Sequence, residues 1–271
     1  MKRTAFAGRT VLITGASSGI GAALAREFAA QGAALVLAAR RLERLEVLAT
    51  EIRSAGGQAL VCCCDVTRAG DLERVIEQAR AAGLGVDIVV ANAGFAAAGR
   101  FEKLTLADYQ RQFDTNVFGV LRTVQAALGE LRERRGSVVI VGSIAGHISL
   151  PGISAYSMSK FAVRALAYAL RGELRRHGIS VTLVSPGYIA SEFRQIDNAG
   201  RLHADAAESV PDWLLVSAAS AARTIVRAVR RRQRERVVTG HGRFAVWTYR
   251  HAPWLVNAAV RLVKPARRVI R

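Results

Sequence analysis

The chain has 271 residues, 51% of them hydrophobic, and a formal net charge of +18. This composition excludes a disordered chain and supplies enough apolar surface for a large core. The charge is uneven, because residues 222–271 hold 14 Lys and Arg against the single acid Glu235, which leaves 25 basic and 20 acidic residues before them. The basic excess belongs to the C-terminal tail and does not indicate that the body of the chain binds nucleic acid.

The cysteines, the histidines and the N-terminus bear on compartment and metal content. Cys62, Cys63 and Cys64 are adjacent, so on a strand they would alternate between faces and could not form a chelating cluster. We expect them to be small buried residues in a reduced cytoplasmic protein. Arg9 interrupts the N-terminus before an apolar run long enough for a signal peptide. The uncharged stretch 136–159 is broken by glycine and proline, which favours a strand and a loop over a membrane span. The five histidines show no ligand spacing, so we expect no catalytic metal.

Apolar runs bounded by turn residues alternate with helical segments along the chain. The runs predict seven buried strands, at 10–14, 34–39, 59–64, 87–92, 137–143, 180–186 and 236–240. The segments between them predict helices at 20–30, 42–55, 69–81, 107–131, 155–177 and 218–232. This alternation indicates an α/β fold, a doubly wound parallel sheet with helices on both faces. We expect one domain over 1–240, a substrate loop at about 188–216 and a basic, aromatic C-terminal extension over 241–271.

A glycine-rich turn follows the first predicted strand. The sequence "TGASSGIG" places Gly15, Gly19 and Gly21 between a buried strand and an apolar helix, with Ser17, Ser18 and Ile20 among them. Glycine permits positive φ angles and lets the backbone approach a pyrophosphate at the start of a helix. The turn therefore predicts a dinucleotide-binding site, and ligands of such sheets bind at the carboxyl ends of the strands.

Two arginines follow the second predicted strand, where many dinucleotide-binding folds have an acidic residue for the ribose hydroxyls. Arg40 and Arg41 stand in this place. A guanidinium binds a 2′-phosphate that a carboxylate would repel, so we expect NADP(H) in preference to NAD(H). The alternative is that both belong to the arginine-rich background. Asp65 and Val66 after the third strand, and Asn92, Ala93 and Gly94 after the fourth, are expected along the adenine and ribose; Asp65 could equally cap a helix, with Thr67 close by.

Tyr156 and Lys160 lie four residues apart in "AYSMSK", so on a helix they share a face. An ammonium there, with the positive nicotinamide nearby, would favour the phenolate and lower the tyrosine pKa from about 10, which makes Tyr156 a general acid or base. Ser143 lies on the loop after the fifth predicted strand, where it can hold a substrate oxygen. Asn116 is a poor helix former inside a predicted helix; it could also simply hydrogen-bond a neighbouring strand.

"TGASSGIG", "DV", "NAG", "DTNVFGV", Ser143, "YSMSK" and "SPG" occur in the order and spacing typical of the single-domain short-chain dehydrogenases/reductases, which this chain resembles from about Gly8 to Gly187. The resemblance implies a Rossmann-type fold and oxidation of an alcohol or reduction of a carbonyl. It implies that Ser143, Tyr156 and Lys160 are the catalytic trio, with Asn116 holding a water that relays protons. It further implies cofactor contacts by Tyr156, Lys160, Pro186, Gly187, Ile189 and Ser191.

The extension over 241–271 mixes tryptophan and tyrosine with arginine. Such a segment suits packing within the enzyme or its oligomer, a lid over an apolar pocket, or contact with an anionic membrane surface. The resemblance implies a homodimer or homotetramer, and the apolar loop residues suggest a fairly apolar carbonyl or alcohol substrate. Two other functions stay open: a catalytically silent dinucleotide-binding regulator, and a membrane-surface adaptor that uses the basic tail.

Overall fold

The computed structural model describes residues 4–198, 201–203 and 210–262. It contains nine strands in these ranges: β1 (Thr10–Thr14), β2 (Ala34–Ala39), β3 (Gln58–Cys63), β4 (Ile88–Ala91), β5 (Ser137–Val141), β6 (Ser180–Ser185), β7 (Ile189–Ala190), β8 (Val216–Ser217) and β9 (Glu235–Val237). Seven of them form a parallel sheet in the order β3-β2-β1-β4-β5-β6-β9. The predicted doubly wound parallel sheet is therefore confirmed.

The described ranges contain nine α-helices: α1 (Gly19–Ala30), α2 (Leu42–Ser54), α3 (Asp71–Ala81), α4 (Leu106–Phe113), α5 (Gly119–Arg134), α6 (Ser154–Leu174), α7 (Ala218–Arg230), α8 (Gly240–His251) and α9 (Pro253–Leu262). A π-helical turn, Asp114–Phe118, joins α4 to α5. The helix predicted over 107–131 is therefore interrupted by one wide turn, which an apolar period of 3.6 residues does not reveal.

The two faces of the sheet carry separate apolar cores because successive strand residues point to opposite sides. In β1, Val11 and Ile13 pack with α1, α2 and α7, whereas Leu12 packs with α3, α5 and α6. All three side chains are fully buried, and burial of each stabilises the fold by about 1.5–3 kcal/mol. Continuous apolar strands are what a sheet covered on both faces requires.

The loop predicted over 188–216 has a short regular framework. Its ends pair as parallel strands, with Ile189 opposite Val216 and Ala190 opposite Ser217. Short 3₁₀ turns occur at Glu192–Gln195 and Asp212–Leu214. Residues 199–200 and 204–209 of this loop, and 263–271 of the predicted extension, lie outside the described residues. The paired ends bring both arms of the loop to the carboxyl edge of the sheet.

Candidate active site at the carboxyl edge of the sheet

The glycine turn between β1 and α1 leaves no room for side chains. Gly15 and Gly19 have φ angles of +66° and +54°, in the left-handed region that disfavours a Cβ. A Cβ on Gly21 would lie 2.2 Å from the carbonyl oxygen of Gly15. The backbone N–H groups that begin α1 follow directly after this close packing, so the turn fits the pyrophosphate of a dinucleotide.

Asn92 braces the glycine turn from the neighbouring strand. Its side-chain amide donates to the carbonyl oxygens of Thr14 at 2.9 Å and of Gly15 at 3.2 Å. The Thr14 hydroxyl in return accepts from the backbone N–H groups of Asn92 at 3.1 Å and Ala93 at 3.3 Å. These bonds tie the ends of β1 and β4 together, so the predicted residues Asn92, Ala93 and Gly94 lie beside the turn.

Arg41 reaches back from the end of β2 to the glycine turn. Its guanidinium donates to the hydroxyl of Ser18 at 2.7 Å and to that of Ser17 at 3.1 Å. Arg40 is exposed at the same strand end. The predicted cationic residues thus lie next to the predicted serines, at the place where the ribose phosphate of a dinucleotide is expected.

A carboxylate from the substrate loop also lies beside these arginines. Glu192 accepts from the Arg44 guanidinium at 2.6 Å and from that of Arg41 at 3.3 Å. Burial tends to raise the pKa of Glu192, but the hydrogen bonds and charges of Arg44 and Arg41 outweigh it and lower that pKa. A cavity of about 610 Å³ lies beneath this contact, between the glycine turn, α1 and the start of α7. Glu192 was not predicted, because no local pattern links it to partners about 150 residues away.

Asp65 forms a local turn at the end of β3. Its Oδ1 atom accepts from the backbone N–H of Thr67 at 3.0 Å and from the Thr67 hydroxyl at 2.7 Å. The residue that caps α3 is Gly70, with φ at +82°, so the alternative that Asp65 caps this helix is wrong. Val66 is buried, and a Cβ on Gly119 would lie 2.7 Å from its side chain. Val66 therefore packs tightly where the π-helical turn meets α5.

The predicted catalytic residues come together at the ends of β5 and α6. The Ser143 hydroxyl lies close enough to Tyr156 to act on the pKa of its phenol, and it accepts from the backbone N–H of Ala145 at 3.1 Å. The buried Lys160 ammonium donates to the carbonyl oxygen of Val141 at 2.9 Å, and it lies 5.7 Å from the centroid of the Tyr156 ring. The helical spacing places Lys160 one turn beyond Tyr156 on the same face, as the sequence predicts.

The pKa of Tyr156 lies above the usual value for a tyrosine. Burial raises it to about 12, and the Ser143 hydroxyl opposes this only in part. Burial also lowers the pKa of Lys160 to about 8. In the chain alone the Lys160 ammonium bonds the Val141 carbonyl, and desolvation of the phenolate outweighs the other effects. The lowering expected from Lys160 together with a bound nicotinamide stays a prediction. A phenol with this pKa is protonated at neutral pH and can serve as a proton donor.

Asn116 lies within the π-helical turn and is fully buried. Its amide oxygen accepts from the Phe95 N–H at 3.1 Å, while its amide nitrogen donates to the Phe95 carbonyl at 3.0 Å and to the Ser159 hydroxyl at 3.2 Å. Ser159 in turn donates to the carbonyl oxygen of Tyr156 at 2.7 Å. Asn116 therefore hydrogen-bonds the segment after β4, the alternative raised from its sequence, and also links that segment to α6. Its part in a proton relay stays a prediction.

The loop after β6 closes the other side of the site. A Cβ on Gly187 would lie 2.3 Å from the Thr239 hydroxyl and 2.5 Å from His241 Nε2, so the start of α8 packs directly against this loop. The Tyr188 and His241 rings stack with centroids 5.8 Å apart. Neither Thr239 nor His241 was predicted, since no spacing connects them to the catalytic residues.

Further along the same loop, Pro186 and Ile189 are buried and Ser191 is half-buried. A Cβ on Gly19 would lie 3.2 Å from the Ser191 Cβ, which places this serine against the glycine turn. The Phe193 ring packs against Tyr156 with centroids 5.7 Å apart. The substrate loop therefore contacts both the glycine turn, through Ser191, and the Tyr156 phenol, through the apolar Phe193 ring.

The comparisons with known proteins agree with this architecture. Residues 9–202 match the family model described as short chain dehydrogenase. The 11-beta-hydroxysteroid dehydrogenase A of Sesamum indicum is 34% identical over 264 residues, which cover 95% of this chain and 76% of that protein. The chain belongs to the short-chain dehydrogenase/reductase family. It is an oxidoreductase of that family, whose fold binds a nicotinamide dinucleotide.

Solved structures extend the likeness. An alcohol dehydrogenase from the archaeon Thermococcus sibiricus, complexed with 5-hydroxy-NADP, has a TM-score of 0.71 and 29% identity, covering 82% of this chain and 88% of its own. A short chain dehydrogenase/reductase from Burkholderia phymatum in complex with NAD shares the fold, with a TM-score of 0.81 and 24% identity over 97% of this chain and 98% of its own. The two neighbours hold different dinucleotides, so the likeness extends to the fold and not to cofactor preference.

The described residues contain neither a metal-binding cluster nor a membrane-spanning helix. No three His, Cys, Asp or Glu side chains in those ranges come together as a metal site, and the absence of a catalytic metal stays a prediction. No helix in the same ranges is both long and apolar enough to span a membrane.

Proposed function

We propose that the protein is an NADP(H)-dependent oxidoreductase that interconverts an alcohol and a carbonyl, with Tyr156 as the general acid or base. The observation that carries the proposal is the grouping of Ser143, Tyr156 and Lys160, whose ammonium lies 5.7 Å from the centroid of the Tyr156 ring, at the same sheet edge as the glycine turn. A proton donor next to a dinucleotide cradle is the arrangement that carbonyl reduction requires.

In the proposed reaction, Ser143, Tyr156 and Lys160 have separate roles. The bound nicotinamide dinucleotide supplies or accepts the hydride. Ser143 holds the substrate oxygen by a hydrogen bond, and Tyr156 gives that oxygen a proton in reduction or takes one in oxidation. With its pKa raised to about 12, Tyr156 is protonated at neutral pH, as the proton donor in carbonyl reduction must be. Lys160 would hold the nicotinamide ribose of the bound cofactor by a hydrogen bond.

The preference for NADP(H) rests on Arg40 and Arg41. Arg41 already lies within hydrogen-bonding distance of Ser17 and Ser18, and Arg40 is free to turn toward a phosphate from its exposed position. Two guanidinium groups attract a 2′-phosphate and gain little from a 2′-hydroxyl.

Arg40→Asp tests this preference. We expect the ratio of kcat/KM for NADPH over NADH to fall at least tenfold, which corresponds to about 1.4 kcal/mol. Arg230→Asp makes the same charge change on the exposed end of α7, which faces the amino edge of the sheet, and should leave the ratio within twofold. An unchanged ratio in Arg40→Asp would contradict the proposed phosphate contact.

The packing of Phe193 on Tyr156 and the exposed Trp213 support a fairly apolar substrate. The name of the sesame relative suggests steroid-sized ketones and alcohols for a screen that follows NADPH absorbance. Tyr156→Phe should retain NADPH binding and lose turnover by at least about a hundredfold. A catalytically silent dinucleotide-binding regulator, the rival function, would show no turnover in either form across the screen.

Assembly and location complete the proposal. Members of the family are commonly oligomeric, and Phe118, Met158 and Phe161 are exposed on the helical segments that carry Asn116 and Tyr156. A homodimer or homotetramer would cover these side chains. Light scattering coupled to size exclusion measures the assembly.

The cytoplasm remains the expected compartment. Cys62, Cys63 and Cys64 are free thiols, the form in which a reducing compartment keeps cysteines.

A further inference from the structure

The C-terminal helices expose large apolar side chains to solvent. Phe244 and Trp247 on α8 are 70% and 59% exposed, and Trp254 and Leu255 on α9 are 68% and 45% exposed. Phe244 and Trp247 are three residues apart, so they lie on one face of α8. We call Phe244 and Trp247 the aromatic face. Four large apolar side chains within 12 residues form a concentration that a monomeric surface rarely leaves open without a partner.

The opposite side of α8 is attached to the body of the protein. Val246 and Gly242 are buried, and a Cβ on Gly242 would lie 2.9 Å from the Ile144 side chain. Thr239 caps the helix by accepting from the Gly242 N–H at 3.2 Å. Because this side is fixed, the aromatic face points outward. Among the described residues, Trp247 stacks on His251 with ring centroids 4.9 Å apart, and this contact still leaves Trp247 59% exposed.

Exposed basic side chains lie on the same helix as the aromatic face. Arg243 and Arg250 on α8 are exposed, and the sequence after Glu235 contains no acidic residue but includes Arg236, Arg243, Arg250, Arg261, Lys264, Arg267, Arg268 and Arg271. Glu235 itself contacts Arg250 at 3.8 Å. A partner of this region must therefore carry negative charge and also accept tryptophan and phenylalanine side chains.

We propose that the aromatic face docks on the surface of an anionic lipid bilayer. Tryptophan and phenylalanine enter the boundary between headgroups and acyl chains, while arginines on the polar side contact anionic headgroups. A second copy of this chain is a poorer occupant, because joining two identical faces would bring their arginines together without acidic partners. The helix would lie in the plane of the membrane surface.

The position of α8 gives this contact a further consequence. His241, in its first turn, stacks on Tyr188 at the start of the substrate loop, and the Tyr188 N–H donates to His241 Nε2 at 3.4 Å. Trp213 in the same loop is 81% exposed. A membrane bound to α8 would therefore lie next to the loop that covers the catalytic residues, where an apolar molecule could pass from the bilayer without crossing water.

Vesicle binding by the full-length chain tests the proposal. Trp213→Phe leaves Trp247 and Trp254 as the fluorescent reporters in this background. Vesicles of phosphatidylcholine with phosphatidylglycerol should pellet the protein and shift its tryptophan emission to shorter wavelength. The double variant Phe244→Ser/Trp247→Ser should lower the partition coefficient by roughly tenfold or more, since two buried aromatic contacts are lost.

The matched control is Val47→Ser on α2. Val47 is 70% exposed, like Phe244, but α2 joins β2 to β3 at one edge of the sheet, whereas α8 follows β9 at the other. This control should bind vesicles as the parent chain does. Equal binding by the Phe244→Ser/Trp247→Ser variant would overturn docking through the aromatic face and indicate charge attraction alone. If the parent chain is a dimer and Phe244→Ser/Trp247→Ser both makes it monomeric and abolishes vesicle binding, a second copy of the chain covers the aromatic face and the proposal is wrong.

Discussion

Lys160 is a buried cation whose removal should make the protein more stable and inactive. Burial lowers its pKa from 10.5 to about 8, which corresponds to about 3 kcal/mol of destabilisation while the group is charged. Lys160→Met removes this cost but also removes the donor to the Val141 carbonyl, which offsets about 1–2 kcal/mol. We expect the variant to be more stable than the parent by about 1–2 kcal/mol at pH 7.

The pH dependence separates this effect from simple repacking. Below about pH 8 Lys160 is protonated in both states and the parent chain bears the full cost. Between about pH 8 and 10.5 the unfolded state binds more protons, so the stability of the parent rises with pH relative to the variant. Above 10.5 the cost is absent. The parent should therefore overtake Lys160→Met as the pH rises.

Urea unfolding of both chains at a series of pH values measures the difference, and pairing the chains cancels every other titrating group. Lys103→Met makes the same substitution at an exposed site and should change stability by less than about 0.5 kcal/mol at every pH. A difference between parent and Lys160→Met that stays constant from pH 7 to 10 would refute the reasoning. NADPH-dependent turnover should fall to background in this variant at all pH values.

Two further substitutions probe the dinucleotide cradle. Gly21→Ala should abolish NADPH binding in a fluorescence titration and lower the melting temperature, because the new methyl group would lie 2.2 Å from the Gly15 carbonyl oxygen. Gly129→Ala is the control: this glycine has open space around it, so the substitution should stabilise α5 by about 0.5–1 kcal/mol. Glu192→Gln should tighten NADPH binding by about three- to tenfold, since it removes the carboxylate paired with Arg41. Equal tightening of NADH binding would contradict a role for the 2′-phosphate.

The regular parts of the fold follow from local sequence. The predicted strands at 10–14 and 34–39 coincide with β1 and β2, because each is a continuous apolar run bounded by turn residues and buried on both faces. The last predicted strand, 236–240, is observed as Glu235–Val237. It ends earlier because Thr239 caps α8, whose start at Gly240 was not predicted.

The site was predictable where one motif supplies all its parts and not where distant segments meet. The glycine turn and the Tyr156–Lys160 spacing are local, so sequence order alone identifies them. The ion pairs of Glu192 and the contact of His241 with Tyr188 join segments about 150 and 50 residues apart, which no pattern connects. The direction of the Tyr156 pKa shift depends on burial, a property of the folded chain.

Glu235, in the short edge strand β9, is a junction between three parts of the molecule. Its carboxylate accepts from the Tyr168 hydroxyl of α6 at 3.0 Å and contacts Arg250 of α8 at 3.8 Å. Its other oxygen lies 3.3 Å from His147, four residues after Ser143. Shortening the chain before α8 would thus remove the Arg250 contact of the carboxylate that also holds His147, on the loop of Ser143. A shortened chain made for expression should therefore keep α8.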